Sequence, residues 1–268
     1  MEAPLLAHTV TKLKGAAGRV VVCGSHGGAY AGLLAVEAGL RGILLNDAGV
    51  GREDAGIAGL DVCEASGMAA AALGHTTCRI GNAEDALARG RVTFVNPSAE
   101  RLGIEPGMTA AEAADRLAGA PLPMRPRADA DAEHRHEETI NGWHLAICDS
   151  ASLIRPGEDD GWIVVTASHG GVVGDDPATA SKADAALLAF NDAGVGLEDA
   201  GVSRLPALQA RGIAAVCVDC ASAKIGDGAS TYEDGVISHM NAAATAMGAT
   251  AGEPLASFIA RVTAAPRS

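Results

Sequence analysis

Residues 46–56 read NDAGVGREDAG and residues 191–201 read NDAGVGLEDAG, so the two stretches differ only at Arg52 and Leu197. A second motif is repeated in the same way, because residues 25–28 (SHGG) return as residues 168–171. The offset is 145 residues for the first motif (46 to 191) and 143 residues for the second (25 to 168). This regular spacing predicts an internally duplicated chain whose two halves are related by a pseudo-two-fold axis.

The composition favours a protein with a large aliphatic core. Of the 268 residues, 48% are hydrophobic but only 3% are aromatic. This length fits one large domain or two small ones. A core of aliphatic residues and glycine favours helices packed closely on a sheet over an aromatic-rich β-sandwich.

The charge and the hydropathy pattern narrow the classes of partner. The formal net charge is −13, and an acidic surface repels nucleic acid and anionic lipid, so we expect neither as a partner. We see no apolar run near the roughly 20 residues needed to cross a bilayer and no signal-peptide pattern. Several of the six cysteines lie in apolar runs, which is typical of reduced, buried thiols. We therefore expect a cytoplasmic protein.

Each copy is predicted to alternate strands with helices. Continuous apolar runs, typical of strands buried on both faces, occupy residues 19–23, 42–45 and 68–73 in the first copy and 162–166, 187–190 and 213–218 in the second. Helical patterns occupy residues 30–38, 53–67 and 110–117 in the first copy and 180–189, 198–212 and 255–262 in the second. The alternation predicts an α/β fold with a mostly parallel sheet.

The remaining segments set the expected boundaries. Extended stretches precede the first strand of each copy at residues 5–13 and 143–154, and the loop 155–160 is expected to turn the second stretch back as a hairpin. Residues 119–142 are rich in Pro and charged residues, which predicts a polar linker or a lid. We therefore divide the chain into a first α/β repeat (1–118), this linker, and a second α/β repeat (143–268).

Polar motifs follow the predicted strands, and the carboxyl ends of parallel strands form the ligand crevice of open α/β sheets. We therefore expect both sets of motifs to meet in one crevice or in two symmetric ones. The residues predicted to bind substrate are Ser25, His26, Gly27, Gly28, Asn46, Asp47, Arg79, Gly170, Gly171, Asn191 and Asp227. The residues predicted to act in catalysis are Ser168, His169, Asp192, Ser222 and Lys224.

The Ser-His-Gly-Gly segments have two interpretations. Adjacent glycines let backbone N–H groups approach an anion, and a serine after a strand is similar to a nucleophile elbow. The first glycine of that elbow is missing, because Cys23 and Thr166 stand there. A tight turn with a helix-capping serine is the alternative, but it leaves the histidine of both copies unexplained.

The Asn-Asp-Ala-Gly segments are equally open, because these residues dominate turns. Their near identity indicates either loops that pack together on the pseudo-axis or a functional site. Lys224 aligns with Arg79 and follows Ser222 by two residues. A lysine beside a serine can act as its base, and a cation at a strand end can bind a carboxylate or form an ion pair.

These residues predict a small-molecule hydrolase that cleaves an amide, C–N or related acyl bond at a composite site between the repeats. Ser222 or Ser168 is the expected nucleophile, and Lys224 or His169 is the expected base. Two alternatives remain: a lyase or isomerase that uses lysine or histidine acid–base chemistry on a small anion, and a non-enzymatic anion-binding protein. We expect a small polar or anionic substrate, a homo-oligomer, no cofactor and no metal.

Overall fold

The computed structural model describes residues 2–124 and 133–266, which form an α/β fold on two mixed, mostly parallel sheets. The strands of the first sheet are β1 (Leu5–Ala7), β2 (Val20–His26), β3 (Gly42–Asn46), β4 (Ala69–Leu73) and β5 (Val92–Val95), in this order across the sheet. Only β5 runs antiparallel to its neighbour. The helices of this part are α1 (Ala29–Glu37), α2 (Gly59–Ala65), α3 (Ala83–Arg89), α4 (Pro97–Glu100) and α5 (Ala110–Leu117).

The second sheet repeats this order with one additional edge strand. Its strands are β6 (Arg135–Ile140), β7 (Trp143–Cys148), β8 (Ile163–His169), β9 (Leu187–Asn191), β10 (Ala214–Val218) and β11 (Ile237–Met240). The two edge strands β6 and β11 are antiparallel, and the four between them are parallel. The helices are α6 (Arg204–Ala210), α7 (Gly228–Glu233), α8 (Ala242–Ala246) and α9 (Leu255–Thr263).

Both sheets are covered on both faces, as the continuous apolar runs predict. Successive side chains of a strand point to opposite faces. Val21 therefore packs in the cluster that contains α1 and α2, whereas Val20 and Val22 pack in the cluster that contains α5. In the second sheet Val164 lies on the side of α6, and Val165 lies on the side of α9. No helix in the described ranges is long and apolar enough to span a bilayer.

Two short 3-10 turns, Val10–Lys12 and Ala151–Leu153, lie in corresponding places before β2 and β8. The sequence after β8 departs from the prediction, because residues 180–189 do not form a helix. A 3-10 turn, Pro177–Ala180, leads into a loop, and β9 then begins at Leu187. The Ser181 hydroxyl bonds to both the N–H and the C=O of Ala183, a local pattern that competes with helix formation.

The predicted hairpin at 155–160 is wrong, since β7 and β8 pair in parallel. The hairpin instead joins β6 to β7 through Asn141 and Gly142, which both have positive φ angles. Asn-Gly is the preferred pair for such a two-residue turn, so the sequence did contain this signal. Part of the expected linker 119–142 is therefore the strand β6. Residues 125–132 of this linker lie outside the described ranges.

The loops after β3 and β9 press against each other where the two sheets meet. A Cβ on Gly49 would lie 2.8 Å from the Cα of Gly194, and a Cβ on Gly194 would lie 2.9 Å from the Cα of Gly49. Reciprocal hydrogen bonds flank this contact, from Arg52 N to Cys220 O and from Leu197 N to His75 O, each at 2.8 Å. The carboxyl ends of the central strands of both sheets therefore face one another.

Candidate functional site

A pocket of about 330 Å³ opens between the two sheets, at the carboxyl ends of β2 and β8. Both Ser-His-Gly-Gly segments contribute to it, through Ser25, His26, Ser168 and His169. The imidazole rings of the two histidines face each other edge to face, with centroids 6.5 Å apart. The fold thus brings together side chains that are 143 residues apart in the chain, at a size suited to a small ligand.

The two glycines of each motif are required by close packing. A Cβ on Gly28 would lie 2.8 Å from His26 Nδ1, and a Cβ on Gly171 would lie 3.0 Å from His169 Nδ1. A Cβ on Gly170 would lie 2.6 Å from the carbonyl oxygen of Gly201. The glycines let the backbone turn back onto the imidazole ring, which explains why the motif contains both Gly-Gly and His.

This turn decides which nitrogen of each imidazole carries the proton. The N–H of Gly28 donates to His26 Nδ1 at 3.1 Å, and the N–H of Gly171 donates to His169 Nδ1 at 3.2 Å. A nitrogen that accepts a hydrogen bond carries no proton, so each neutral ring is protonated at Nε2. Both histidines can therefore present an Nε2–H donor to a ligand in the pocket.

Burial keeps both rings neutral. It lowers the pKa of His26 to about 4, and it lowers the pKa of His169 well below the usual range, with a further contribution from the positive charge of Arg204. At neutral pH the two side chains are hydrogen-bond donors without charge. Because they are neutral, they are not protonated general acids. Because Nδ1 accepts a glycine N–H, they also differ from a general-base histidine whose Nδ1–H donates to a carboxylate.

The serine hydroxyls have a structural role in the wall of the pocket. Ser25 Oγ accepts a hydrogen bond from Val10 N at 3.1 Å, and Ser168 Oγ accepts one from Ala151 N at 2.9 Å. These bonds hold the two 3-10 turns over the pocket. Within residues 2–124 and 133–266, neither hydroxyl is hydrogen-bonded to a basic side chain, so a nucleophile–base pair is not formed.

Arg204 is the unusual charge in the pocket, since its side chain is buried and the residue is only 5% exposed. Its Nε donates to Gly171 O at 2.9 Å, and its Nη1 donates to Ala180 O at 2.7 Å. No carboxylate of the described residues forms an ion pair with it. Burial lowers its pKa to about 10, so the guanidinium remains charged at neutral pH.

Sequence reasoning missed Arg204, although a signal was present. Position 204 corresponds to Gly59 at the offset of 145 residues that relates the Asn-Asp-Ala-Gly motifs. The first part has helix α1 next to this position, whereas the second part has the loop after β8, whose carbonyl groups bind the guanidinium. The first and second parts of the chain thus have different structures next to the pocket, a helix in the first part and a loop in the second.

Glu133 is a second residue that the sequence did not single out, because it lies in the expected linker. Its carboxylate accepts a hydrogen bond from Ser152 Oγ at 3.0 Å and lines the pocket. Burial raises its pKa. Lys12, Lys182 and Asp149 complete the charged lining.

The Asn-Asp-Ala-Gly residues lie behind the pocket and support the loops. Asn46 accepts from Ala48 N and donates to Cys78 O, and Asn191 makes the same two bonds with Ala193 N and Ala223 O.

The two aspartates are held in the same manner. Asp47 accepts from His75 Nδ1 at 2.7 Å and from Thr93 Oγ1 at 3.0 Å, and Asp192 accepts from Ser238 Oγ at 2.7 Å. Burial opposes the ionisation of Asp47, but the hydrogen bonds from His75 outweigh it and lower the Asp47 pKa. All four side chains are buried, so their observed contacts are structural.

Lys224 and Ser222 lie outside the pocket. Its Nζ forms a 2.5 Å ion pair with Glu53, which raises the Lys224 pKa. Ser222 Oγ donates to Asp219 O at 2.7 Å and accepts from Val236 N at 2.9 Å, so it is not bonded to Lys224.

Arg79 and Asp227 also have partners away from the pocket. Arg79 pairs with Asp85, Asp175 and Glu198. Asp227 accepts from Ser230 N at 2.9 Å and caps α7. The structure therefore places the two Ser-His-Gly-Gly segments together in the pocket and the side chains of Lys224 and Arg79 outside it.

In the part of the chain that the structure describes, one group brings potential metal ligands together: Asp192, Asp219 and Cys220. Asp192 already accepts hydrogen bonds from Gly194 N, Cys220 N and Ser238 Oγ. Burial raises the pKa of the Cys220 thiol to about 12, so it does not supply the thiolate that binds metals. We assign this group to the hydrogen-bond network of the loop.

The neutral imidazoles of the pocket make the protein less stable in acid. The pKa of His26 is about 4 in the folded chain and about 6.5 in the unfolded chain, so between these values the unfolded chain binds the extra proton. Lowering the pH from 7 to 4.5 should decrease the free energy of unfolding by about 2.5 kcal/mol through His26 alone. Urea unfolding of the His26→Gln variant at both pH values should reveal a pH dependence smaller by this amount. His136→Gln, at an exposed position, serves as the control, and equal pH dependence in all three proteins would contradict this assignment.

Comparisons of the chain with protein-family models, with curated proteins and with solved structures found no match. Its function is therefore inferred from the chemistry of the pocket.

Proposed function

We propose that this protein binds a small organic carboxylate in the pocket between its two sheets. The observation that carries this proposal is Arg204, a buried guanidinium on the pocket wall without a carboxylate partner among the described residues. Buried charges are normally paired, because removing an ion from water costs several kcal/mol. The Nη2 group makes no hydrogen bond within the described ranges, so it remains for a ligand.

The charge balance of the lining supports a ligand with a single negative charge. Three cationic side chains (Lys12, Lys182, Arg204) and two carboxylates (Glu133, Asp149) line the pocket, and the imidazoles are neutral. The net charge of this lining is therefore about +1 on a protein whose overall charge is −13. A carboxylate balances it, whereas phosphate brings a charge of about −1.5 to −2 at neutral pH. Nε2–H groups and serine hydroxyls supply donors for further polar groups of the ligand.

We also propose an origin for the pocket by internal duplication of the chain. We propose that residues 1–118 and 143–268 are copies of one unit related by a pseudo-two-fold axis between Gly49 and Gly194. The same strand order and the paired hydrogen bonds of Asn46 and Asn191 support this origin. Loss of the helix after β8, together with an arginine in place of Gly59, would then have converted a symmetric contact into a directional site.

Titration calorimetry with acetate, butyrate, 2-oxobutyrate, succinate and inorganic phosphate tests the proposal. We expect at least one carboxylate to bind, and Arg204→Met to weaken its binding about 10- to 100-fold by removing a charge-assisted hydrogen bond. Arg211→Met is the matched control. Arg211 also bonds to carbonyl groups of the loop 181–183 but lies outside the pocket, so this variant should bind normally. The proposal would be refuted if Arg204→Met bound the carboxylate as tightly as the wild type, or if phosphate were the only compound that bound.

The hydrolase predicted from the sequence, with Ser222 or Ser168 as its nucleophile, remains a second candidate in a changed form. Because Ser222 lies outside the pocket, its candidate nucleophiles are Ser168 and Ser25. The observation in its favour is that both hydroxyls line the pocket and accept backbone N–H groups, which leaves their protons free. A serine-directed phosphonate separates the candidates. Covalent labelling of Ser25 or Ser168, detected by mass spectrometry and blocked by the bound carboxylate, would favour the hydrolase.

A further inference from the structure

We propose that the pocket catalyses proton transfer at a carbon atom next to a carbonyl group, with Glu133 as the base and the His26 and His169 imidazoles as donors to the carbonyl oxygen. The substrate class is a small oxocarboxylate, whose carboxylate binds Arg204. This inference rests on the carboxylate site proposed above and assigns it a reaction.

The lining of the pocket contains the groups that such a reaction requires. The Glu133 carboxylate is hydrogen-bonded to the neutral hydroxyl of Ser152 and forms no ion pair with a described cation. Its partial burial raises its pKa, which makes it a stronger base than an exposed carboxylate. Asp149, Lys182 and Tyr30 are the ionisable neighbours that interact with it.

The imidazoles suit the second role in the reaction, which is to donate hydrogen bonds to the carbonyl oxygen. Each holds its proton on Nε2 because a glycine N–H occupies Nδ1, and each is kept neutral by burial. A preorganised neutral imidazole stabilises a developing enolate oxygen by hydrogen bonding without first having to lose water. The donors and the base thus line one cavity that is small enough to bring both to one substrate.

The proposed step balances without a co-reactant. Glu133 removes a proton from the carbon next to the carbonyl group, and the electron pair of the C–H bond forms a carbon–carbon double bond. The π electrons of the carbonyl group move to its oxygen atom, which accepts hydrogen bonds from Nε2–H. Return of the proton from Glu133 to the same carbon restores the carbonyl compound and the Glu133 carboxylate.

Deuterium exchange measures this step directly, even before the natural substrate is known. The protein is incubated in D₂O with 2-oxobutyrate, 4-oxopentanoate or 5-oxohexanoate, which place the carbonyl group at different distances from the carboxylate. Proton NMR then follows the loss of the C–H signals beside the carbonyl group against a protein-free sample. Butyrate, which has no ketone group, is the negative control for exchange.

We expect enzyme-dependent exchange in at least one oxocarboxylate that binds. Glu133→Gln should slow the exchange at least a hundredfold while the dissociation constant changes less than threefold, and Glu133→Asp should have an intermediate effect. Glu158→Gln is the control, because Glu158 is an exposed carboxylate outside the pocket. This variant should catalyse substrate exchange at the wild-type rate.

The possible failures are distinguishable. If oxocarboxylates bind in an Arg204-dependent manner but none exchanges, the proton-transfer inference is wrong and the binding site stands. If exchange persists in Glu133→Gln, another group is the base and the assignment of Glu133 is wrong. If no carboxylate binds, both this inference and the proposed function fail.

Discussion

Replacing both His26 and His169 by asparagine is expected to slow deuterium exchange about a thousandfold or more while the fold is retained. The amide oxygen of asparagine takes the place of Nδ1, so it can still accept the N–H groups of Gly28 and Gly171. The variant lacks the Nε2–H donors. Loss of one preorganised donor to a developing oxyanion typically costs about a hundredfold to a thousandfold in rate.

Glutamine at the same two positions is the matched comparison. Its amide nitrogen reaches about as far as Nε2, so it keeps a donor toward the pocket but loses the acceptor for the glycine N–H. We expect the double glutamine variant to exchange faster than the double asparagine variant and to unfold at lower urea concentration. Proton NMR and urea titration provide the two readouts. The opposite order of exchange rates would mean that the imidazoles act through Nδ1, against the tautomer that the glycine N–H groups impose.

Valine in place of Gly194 is expected to destabilise the protein by about 4 kcal/mol or more. Gly194 has a φ angle of +73°, which a β-branched residue adopts only with strain. The new side chain would also collide with Gly49 Cα, because a Cβ there already lies at 2.9 Å. The loss should therefore exceed the cost of the backbone angle alone, since the two loops have no room to separate without opening the contact between the sheets.

Gly212→Val isolates the contribution of the backbone angle. Gly212 has a φ angle of +72°, and a Cβ on this residue would have no neighbouring atom within 4 Å, so its substitution should cost about 1–2 kcal/mol. Urea unfolding of both variants gives the difference between them. Similar losses in the two variants would show that the loops after β3 and β9 do not press on each other in solution.

The strands were predictable because they depend on residues that are close together in the chain. The run from Val20 to Cys23 is apolar at every position, so it must be buried on both faces wherever the sheet lies. Helix α5 was predicted with its observed bounds, and a capping box between Thr109 and Glu112 stabilises its start. The absent helix at 180–189 shows the limit of such patterns, because a short apolar run fits a buried strand equally well.

The chemistry of Lys224 and Ser222 illustrates what sequence proximity does not determine. Two residues apart in the chain, they suggested a base and its nucleophile. In the folded protein Ser222 bonds to backbone groups of its own turn and of Val236, and Lys224 pairs with Glu53 from the loop after β3. Side-chain partners are chosen by the packing of distant segments, so spacing alone does not identify them.

The repeated motifs, the α/β alternation and the Ser-His-Gly-Gly turns all follow from the amino-acid sequence, because the glycines of these turns are needed for backbone approach within each motif. The shared pocket of the two histidines, and the presence of Arg204 and Glu133 in its lining, follow only from the packing of the folded chain. Arginine and glutamate are ordinary surface residues in most sequences. What makes these two notable is their position in one pocket with segments that are far away in the chain, and this position arises only when those segments pack together.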